Sequence, residues 1–233
     1  GDPSNDSGVI EHENVLIDLW ATGTPAFGIF VPNERPLTAE QRRSGERQAP
    51  VYTREGGERL ARNPLYDFLF LNLEGGYEAG AVAAIAEGLR SPDAVSRKAL
   101  LVRIPPIERD GEEVTRARVR EILAAGADGV VLPHIRSPAE ARTAVSFFAE
   151  AGADVWSPSN PAGEILAMIM VEDAGALAAV TEIANTPGYS ILACGIGSLT
   201  SALGDREAAE AGNQEVLAHA KRVGLADMIT ANS

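Results

Sequence analysis

The sequence predicts an α/β fold of the (β/α)8 TIM-type barrel class. Four apolar runs, at residues 100–106, 130–135, 167–173 and 191–199, each end on a polar or glycine-rich cluster. Buried parallel strands give such runs, and in a barrel their C-terminal ends meet at one mouth where the chemistry takes place. Predicted strands also alternate with predicted helices through short connections, as a parallel sheet with right-handed crossovers requires.

The main alternative to a barrel is a doubly wound open sheet. That fold usually has a G-x-G-x-x-G turn after its first strand, and the segment after residue 31 lacks it. The glycine turn at 195–198 is too short to count as that fingerprint. We therefore predict one barrel domain over residues 1–233, since a chain of this length can bury a single large core.

Elements follow one another in the order that a barrel needs. A helix at 10–22 leads into the first strand, and a polar excursion at about 33–60 comes next. We interpret the excursion as a lid over the barrel mouth, with Arg42, Arg43 and Arg47 more often solvated than bound to a ligand. The predicted strands are at 26–31, 67–76, 98–106, 127–135, 164–173, 189–197 and 226–233.

Helices are predicted between the later strands. They lie at 77–90, 114–126, 138–152 and 175–188, and a helix-rich stretch runs on to residue 224. The third of them begins with Ser137 as an N-cap and Pro138 at the first helical position. The loop at 154–163 contains Trp156, and either substrate contact or turn chemistry alone explains its polar residues.

Composition excludes several classes of function. The formal net charge of −13 and the lack of a basic stripe oppose nucleic-acid binding, and the apolar stretches are too short to cross a membrane. Cys194 is the one cysteine, so no internal disulfide or thiolate zinc cluster forms. The N-terminal stretch is not a signal peptide, although a removed one would leave such an end. Localisation stays open between cytoplasmic, the default, and a secreted or periplasmic mature form.

Six short sequence motifs, in order and at consistent spacing, indicate a family resemblance. They run from about Val15 to the last residue: F-G-I-F, L-N-L-E-G, L-V-R-I-P, A-G-A-D-G-V-V-L-P, I-M-V-E-D and G-I-G-S-L-T-S-A-L-G. The chain thus resembles the HpcH/HpaI aldolase and citrate lyase superfamily. The resemblance implies a metal-dependent barrel that makes or breaks carbon–carbon bonds through the enolate of pyruvate or a related 2-oxo acid.

The resemblance also implies roles for strand-end residues. Glu172 matches the glutamate that binds the metal, with Mg²⁺ or Mn²⁺ favoured and Co²⁺ as a further choice. Arg103 matches the arginine that contacts the 2-oxo acid. Gly195, Gly197 and Ser198 match the turn whose backbone amides hold the substrate carboxylate. The alternative reading of Arg103 and Glu172 is a structural ion pair within the barrel.

Two departures affect the predicted catalytic set. Ser198 stands where the family has an aspartate that is the second metal ligand, and Gly75 stands where it has the catalytic histidine. His134 is the nearest replacement base, and a helix-capping histidine explains it equally well. Glu74 is predicted to hold a water or pair with Arg103, and otherwise to act as the base.

A third departure is that the sequence ends at Ser233, before the eighth strand and final helix of family barrels. An open strand edge invites association, so we expect a homo-oligomer. The leading functional hypothesis is a metal-dependent lyase of a small 2-oxo or hydroxy acid. The alternative is a diverged barrel without aldolase activity, which binds a carboxylate or a partner, or uses His134 and Glu74 in another reaction.

Overall fold

A curled sheet of six parallel strands forms the centre of the molecule. The computed structural model describes residues 10–226, and its strands are β1 (Gly28–Phe30), β2 (Phe68–Asn72), β3 (Ala99–Arg103), β4 (Gly129–Leu132), β5 (Leu166–Val171) and β6 (Ile191–Cys194). Each strand pairs with the next in the chain, in the order β1 to β6. Six of the predicted strands are thereby confirmed. Between residues 10 and 226, β1 and β6 do not pair with each other, and closure into eight strands stays a prediction.

The predicted seventh strand lies mostly outside the described residues. Its first residue, Ala226, forms a parallel bridge with Ile191, and its amide donates to the carbonyl of Ser190 at 3.0 Å. The chain therefore arrives beside β6 in the direction that a parallel sheet needs.

Helices precede, connect and follow the strands, and those between consecutive strands form the crossovers. They are α1 (Val15–Ala21), α2 (Ala39–Arg43), α3 (Arg54–Ala61), α4 (Ala79–Leu89), α5 (Ile107–Asp110), α6 (Glu112–Ala124), α7 (Pro138–Glu150), α8 (Ala174–Ala178), α9 (Val180–Asn185), α10 (Ile196–Leu203) and α11 (Arg206–Val223). The predicted start of α7 is confirmed, because the Ser137 side chain accepts from the amide of Glu140 at 3.1 Å. In the described part of the chain, no helix is long and apolar enough to cross a bilayer.

From β2 to β6, most strand residues are buried on both faces, which explains why these strands are continuous apolar runs. On β5, Met168 and Met170 point into the curl of the sheet, whereas Ala167, Ile169 and Val171 face the helices. Helix α1 closes the N-terminal end of the curl by adding Leu16 and Ile17 to the inner cluster. Because α1 covers the N-terminal end, the interior of the curled sheet opens at the C-terminal ends of the strands, where the polar residues lie.

The polar excursion at 33–60 is only partly an excursion. Its second half forms α3, which packs on α4 through a close approach of Gly57 and Gly88. A Cβ on Gly57 would lie 2.7 Å from the carbonyl oxygen of Ile85, so the two helices touch through their backbones. This half belongs to the outer helical layer. The helix was not predicted because its sequence is charged and contains two adjacent glycines. It is held by close backbone contact rather than by large apolar side chains.

The loop with Trp156 is far from the strand ends that carry the site. Trp156 precedes β5, where its amide donates to the carbonyl of Ile165 at 2.8 Å, and its ring lies 5.9 Å from that of Trp20 on α1. The loop therefore packs at the N-terminal end of the sheet, and the turn hydrogen bonds between Ser157 and Asn160 account for its polar residues.

Replacing Gly88 by alanine should lower the free energy of unfolding by about 1–3 kcal/mol, since overpacking a close contact has that cost. A Cβ there would lie 2.7 Å from the amide nitrogen of Glu58, and it would also strike the carbonyl of Arg54. Gly80 is the matched control on the same helix, because a Cβ there meets nothing within 4 Å. Gly80→Ala should be neutral or stabilising by up to about 1 kcal/mol. Urea denaturation of both variants measures the difference, and equal stabilities would contradict the close approach.

Candidate active site

Four ionisable side chains form one continuous series of contacts along the C-terminal edge of the sheet. Glu74 follows β2, Arg103 ends β3, His134 follows β4 and Glu172 follows β5. Because the strands are parallel and in sequence order, their ends lie side by side at one edge. Glu74 contacts Arg103 from the adjacent strand end and also reaches His134, which in turn contacts Glu172. The structure thus assembles all of the side chains that the sequence marked at these strand ends.

Glu74 is the link between the arginine and the histidine. Its Oε2 lies 3.2 Å from Nε of Arg103, and its Oε1 lies 3.0 Å from Nε2 of His134. The Glu74 side chain is 25% exposed. The predicted ion pair of Glu74 with Arg103 is therefore present, and its contact with His134 is an additional one that favours proton transfer between the two.

Glu172 is the buried end of this series of contacts. Its Oε2 accepts from the backbone amide of His134 at 2.7 Å and lies 3.4 Å from Nδ1 of the same residue. The residue is only 5% exposed. Burial raises the pKa of Glu172 above its ordinary value, the charge of Glu74 acts in the same direction, and His134 and Arg103 oppose the shift. In the part of the chain that the structure describes, Oε2 of Glu172 therefore contacts one residue, His134, through both its amide and its ring.

His134 has an unusual backbone. Its φ of 52° makes it the one non-glycine residue between positions 10 and 226 with a positive φ. A left-handed conformation costs energy for a residue with a side chain, and it persists where surrounding contacts impose it. Here the conformation allows the amide to reach Glu172 while the ring lies between Glu172 and Glu74.

Arg103 presents the free end of its guanidinium group. Its Nε donates to Oδ1 of Asn72 at 3.0 Å, and the guanidinium lies over the ring of Phe70 at 5.5 Å. The side chain is 16% exposed, and its two terminal nitrogens have no hydrogen-bond partner in the described part of the chain. A planar cationic fork held at its Nε end is suited to bind a carboxylate or an enolate oxygen.

Asn72 is a site residue that the sequence analysis missed. Its Oδ1 accepts from the amide of Glu74 at 3.1 Å as well as from Nε of Arg103, so Asn72 orients both members of the Arg103–Glu74 pair. Asn72 is the register partner of Arg103 on the adjacent strand. A polar residue at the end of the apolar run 68–71 was the available signal, but only strand register shows that it faces Arg103.

The glycine turn after β6 begins a helix. Gly195 is the N-cap of α10, and no side chain caps that helix end. The amide of Gly195 donates to the carbonyl of Val171 at 3.2 Å, as part of the pairing of β6 with β5. The following amides, at Ile196, Gly197 and Ser198, occupy the first helical turn, where N–H groups lack intrahelical acceptors. The predicted carboxylate-binding turn therefore stays a prediction, for which the amides of Gly197 and Ser198 are placed at the start of a helix and the amide of Gly195 already has an acceptor.

The residues beside Glu172 do not fit a divalent cation. One oxygen of Glu172 is engaged by His134, and the other packs against Gly195 so closely that a Cβ at position 195 would collide with it. Ser198 provides no second carboxylate. Within residues 10–226, no group of three or more histidine, cysteine, aspartate or glutamate side chains has the arrangement of a metal site. A hard cation needs several oxygen ligands, and Glu172 offers it one carboxylate whose oxygens already contact His134 and Gly195.

Cys194 is buried at the end of β6, 7% exposed, as a small apolar residue would be. Burial, aided by the charge of Glu172, raises the pKa of Cys194 to about 11 from 9.0. At pH 8 the folded protein should therefore react with iodoacetamide roughly 100-fold more slowly than the unfolded chain, because only the thiolate reacts. The raised pKa favours the neutral thiol, so the stability it contributes is present below pH 9 and is lost as the pH rises towards 11.

Mass spectrometry of alkylation with and without urea measures this reactivity, and the unfolded chain is its own control since Cys194 is the one cysteine. Equal rates in the two states would show that the thiol is exposed and ionised, which would contradict its placement.

Comparison with known proteins supports the resemblance. The family model for HpcH/HpaI aldolase/citrate lyase matches residues 61–231. The fold is similar to that of an HpcH/HpaI aldolase/citrate lyase family protein from Burkholderia cenocepacia J2315, with a TM-score of 0.67, 22% identity and coverage of 92% of this chain and 83% of that one. Macrophomate synthase has a TM-score of 0.65, 17% identity and coverage of 93% and 75%.

The HpcH/HpaI aldolase from Desulfitobacterium hafniense DCB-2 has a TM-score of 0.64, 17% identity and coverage of 94% and 83%. At these identities the solved structures show the fold alone, whereas the family follows from the sequence model. None of the curated proteins matches the chain.

Proposed function

This chain belongs to the HpcH/HpaI aldolase/citrate lyase family, and we propose that it is a carbon–carbon lyase of a small 2-oxo or hydroxy acid that acts through an enolate. Solved proteins with the same fold include macrophomate synthase and the citrate synthase SbnG. Those names come from proteins with low identity to this one, so the substrate class here rests on the site.

The observation that carries the proposal is the free guanidinium fork of Arg103 at the mouth of the curled sheet. A 2-oxo acid has a carboxylate and a keto oxygen on adjacent carbons, and a planar fork binds such a pair of oxygens through two parallel hydrogen bonds. The same charge stabilises the oxygen when it becomes an enolate, which is where transition-state charge develops. The amides at Gly197 and Ser198 are a second place for an anionic oxygen.

The proposed reaction is a retro-aldol cleavage. The Glu74–His134 pair takes the proton from the hydroxyl group on C4 of a 4-hydroxy-2-oxo acid. The bond between C3 and C4 then breaks, C4 leaves as the carbonyl of an aldehyde or ketone, and the electron pair forms the enolate on C2 and C3. The same proton returns to C3, which gives the 2-oxo acid. The pair is suited to this cycle because its two groups are 3.0 Å apart and both reach the mouth.

The family resemblance further implies Mg²⁺, Mn²⁺ or Co²⁺ at Glu172, and a homo-oligomeric assembly. Metal dependence is left out of the proposed reaction, because the residues around Glu172 do not fit a cation. The oligomer stays a prediction that light scattering at micromolar concentration tests.

A second candidate function is another reaction that uses the same proton-transfer pair, such as isomerisation or hydrolysis of a carboxylate. The contact of His134 with Glu74 favours it over a role in binding alone, since a carboxylate paired with imidazole is a general base in many unrelated reactions.

Exchange of the methyl protons of pyruvate in D₂O tests enolate formation without knowledge of the second substrate. Proton NMR should show loss of the methyl signal with the protein present. The control protein is Arg142→Ala, because Arg142 is exposed on α7 and makes no ion pair in the described part of the chain. Pyruvate and 2-oxobutyrate would be compared, with 4-hydroxy-2-oxo acids offered for cleavage.

Exchange that is catalysed by the wild type and by Arg142→Ala supports the lyase. Neither exchange nor cleavage with any of these acids would contradict enolate chemistry and favour the second candidate function.

A further inference from the structure

We propose that Glu172 positions His134 and does not bind a metal, so that the proposed lyase site works without a divalent cation. This inference deepens the proposed function, on which its catalytic part rests. It differs from the family resemblance, which gives Glu172 to the cation, and it follows from the contacts of this chain's own residues.

The first contact is the pairing of Glu172 with two groups of one residue. Its Oε2 accepts from the His134 amide at 2.7 Å and faces the ring nitrogen Nδ1 at 3.4 Å. A cation at this oxygen would compete with both groups. The other oxygen lies against Gly195, with a Cβ built there only 2.9 Å from the carboxyl carbon of Glu172. Both oxygens of Glu172 therefore already lie against protein groups, Oε2 against His134 and Oε1 against Gly195.

The second observation is the backbone of His134. The positive φ of 52° has a conformational cost, and the contact that imposes it is the hydrogen bond to Glu172. With the backbone fixed in this way, the ring lies between two carboxylates, and Nε2 faces Glu74 at 3.0 Å. The buried Glu172 thus contacts the imidazole at Nδ1, whereas the more exposed Glu74 contacts it at Nε2, on the side of the open mouth.

The third observation concerns charge. In order of contact, Arg103 pairs with Glu74, Glu74 with His134 and His134 with Glu172, so each carboxylate already has a cationic or hydrogen-bonding neighbour. In this arrangement Arg103 and the imidazole are the groups that can face an enolate oxygen. Glu172 acts through His134, which makes it a positioning residue rather than a catalytic one.

Binding of Mn²⁺ followed by electron paramagnetic resonance tests the metal part without any assay of activity. Four proteins are compared: the wild type, Ser198→Asp, His134→Gly, and the variant with both changes. Glycine is used at position 134 because it accepts the positive φ. We expect specific binding at millimolar Mn²⁺ only in the double variant, where the oxygen of Glu172 is freed and a second carboxylate is added.

Binding to the wild type that is lost in Glu172→Gln would overturn the proposal. Equal binding by Ser198→Asp and the double variant would also overturn it, because the missing ligand and not His134 would then exclude the ion. Absence of binding in the double variant would show that His134 does not occupy a cation's place, and it counts against the proposal as well.

Nitrogen-15 NMR of the imidazole rings tests the positioning part. The chain has three histidines, so the ring signals of His134 can be assigned by comparison with His134→Asn. Glu172→Gln should shift both ring nitrogens of His134 and leave those of His12 and His219 in place. Glu215→Gln is the control, since Glu215 is exposed on α11 and makes no ion pair in the described residues.

Unchanged His134 signals in a folded Glu172→Gln protein would overturn the positioning role, whatever the activity of the enzyme. If the signals shift as expected while pyruvate exchange is absent in the wild type, the proposed function fails and the role of Glu172 stands.

Discussion

Replacing Arg103 by alanine should abolish most turnover, with a fall in kcat/KM of about 10²–10³, because one preorganised donor to a developing oxyanion contributes that much. The loss should appear in pyruvate proton exchange and in cleavage of a 4-hydroxy-2-oxo acid alike. It should also weaken carboxylate binding, since the two terminal nitrogens of Arg103 have no other partner in the described part of the chain.

Arg103→Lys separates charge from geometry. Lysine keeps the positive charge but lacks the planar fork and the Nε donor that Asn72 and Glu74 orient. We therefore expect it to recover only a small part of the activity. Arg142→Ala should be indistinguishable from the wild type. Thermal denaturation of each variant shows whether the fold is intact, and full activity in a folded Arg103→Ala protein would exclude this site as the place of the chemistry.

The second large effect is expected at the proton-transfer pair. Glu74→Gln should lower the rate of pyruvate proton exchange by about 10²–10⁴, the usual contribution of a positioned general acid or base. The amide still fills the space beside Arg103 and His134, but it cannot accept a proton. KM should change little, because Arg103 and not Glu74 is proposed to hold the substrate.

His134→Asn completes a double-mutant cycle with Glu74→Gln. Asparagine tolerates the positive φ of position 134, so the substitution removes the imidazole without added backbone strain. If the two residues act as a unit, the double variant should be no slower than the slower single variant. Multiplied losses would instead show independent roles. Glu215→Gln is the control for the loss of a carboxylate at a distant surface position.

The sequence by itself determined the class of fold and which strand-end residues are candidates for a site. Strands with two buried faces must be continuous apolar runs, and parallel strands must present their ends at one edge, so the runs at 100–106, 130–135 and 167–173 marked Arg103, His134 and Glu172. The six strands and the start of α7 follow from the same local signals of periodicity and capping.

Other features depended on packing between distant parts of the chain. Helix α3 has few large apolar residues, and it is held by the approach of Gly57 to Gly88, which no local pattern reveals. The distance of Trp156 from the mouth likewise depends on its contact with Trp20. Close backbone approach and aromatic contacts are made between segments that are far apart in sequence, so local periodicity does not report them.

Only the tertiary structure decided what the site residues contact. Sequence order left Glu172 open between a metal ligand and an ion-pair partner, and His134 open between a base and a cap. The left-handed backbone of His134 turns its amide and ring towards Glu172, and strand register sets Asn72 against Arg103. The physical reason is that contacts between strand ends depend on the register of neighbouring strands and on the backbone angles of the residues that follow them. The position of each strand-end residue, in contrast, can be read from the apolar pattern of its own strand.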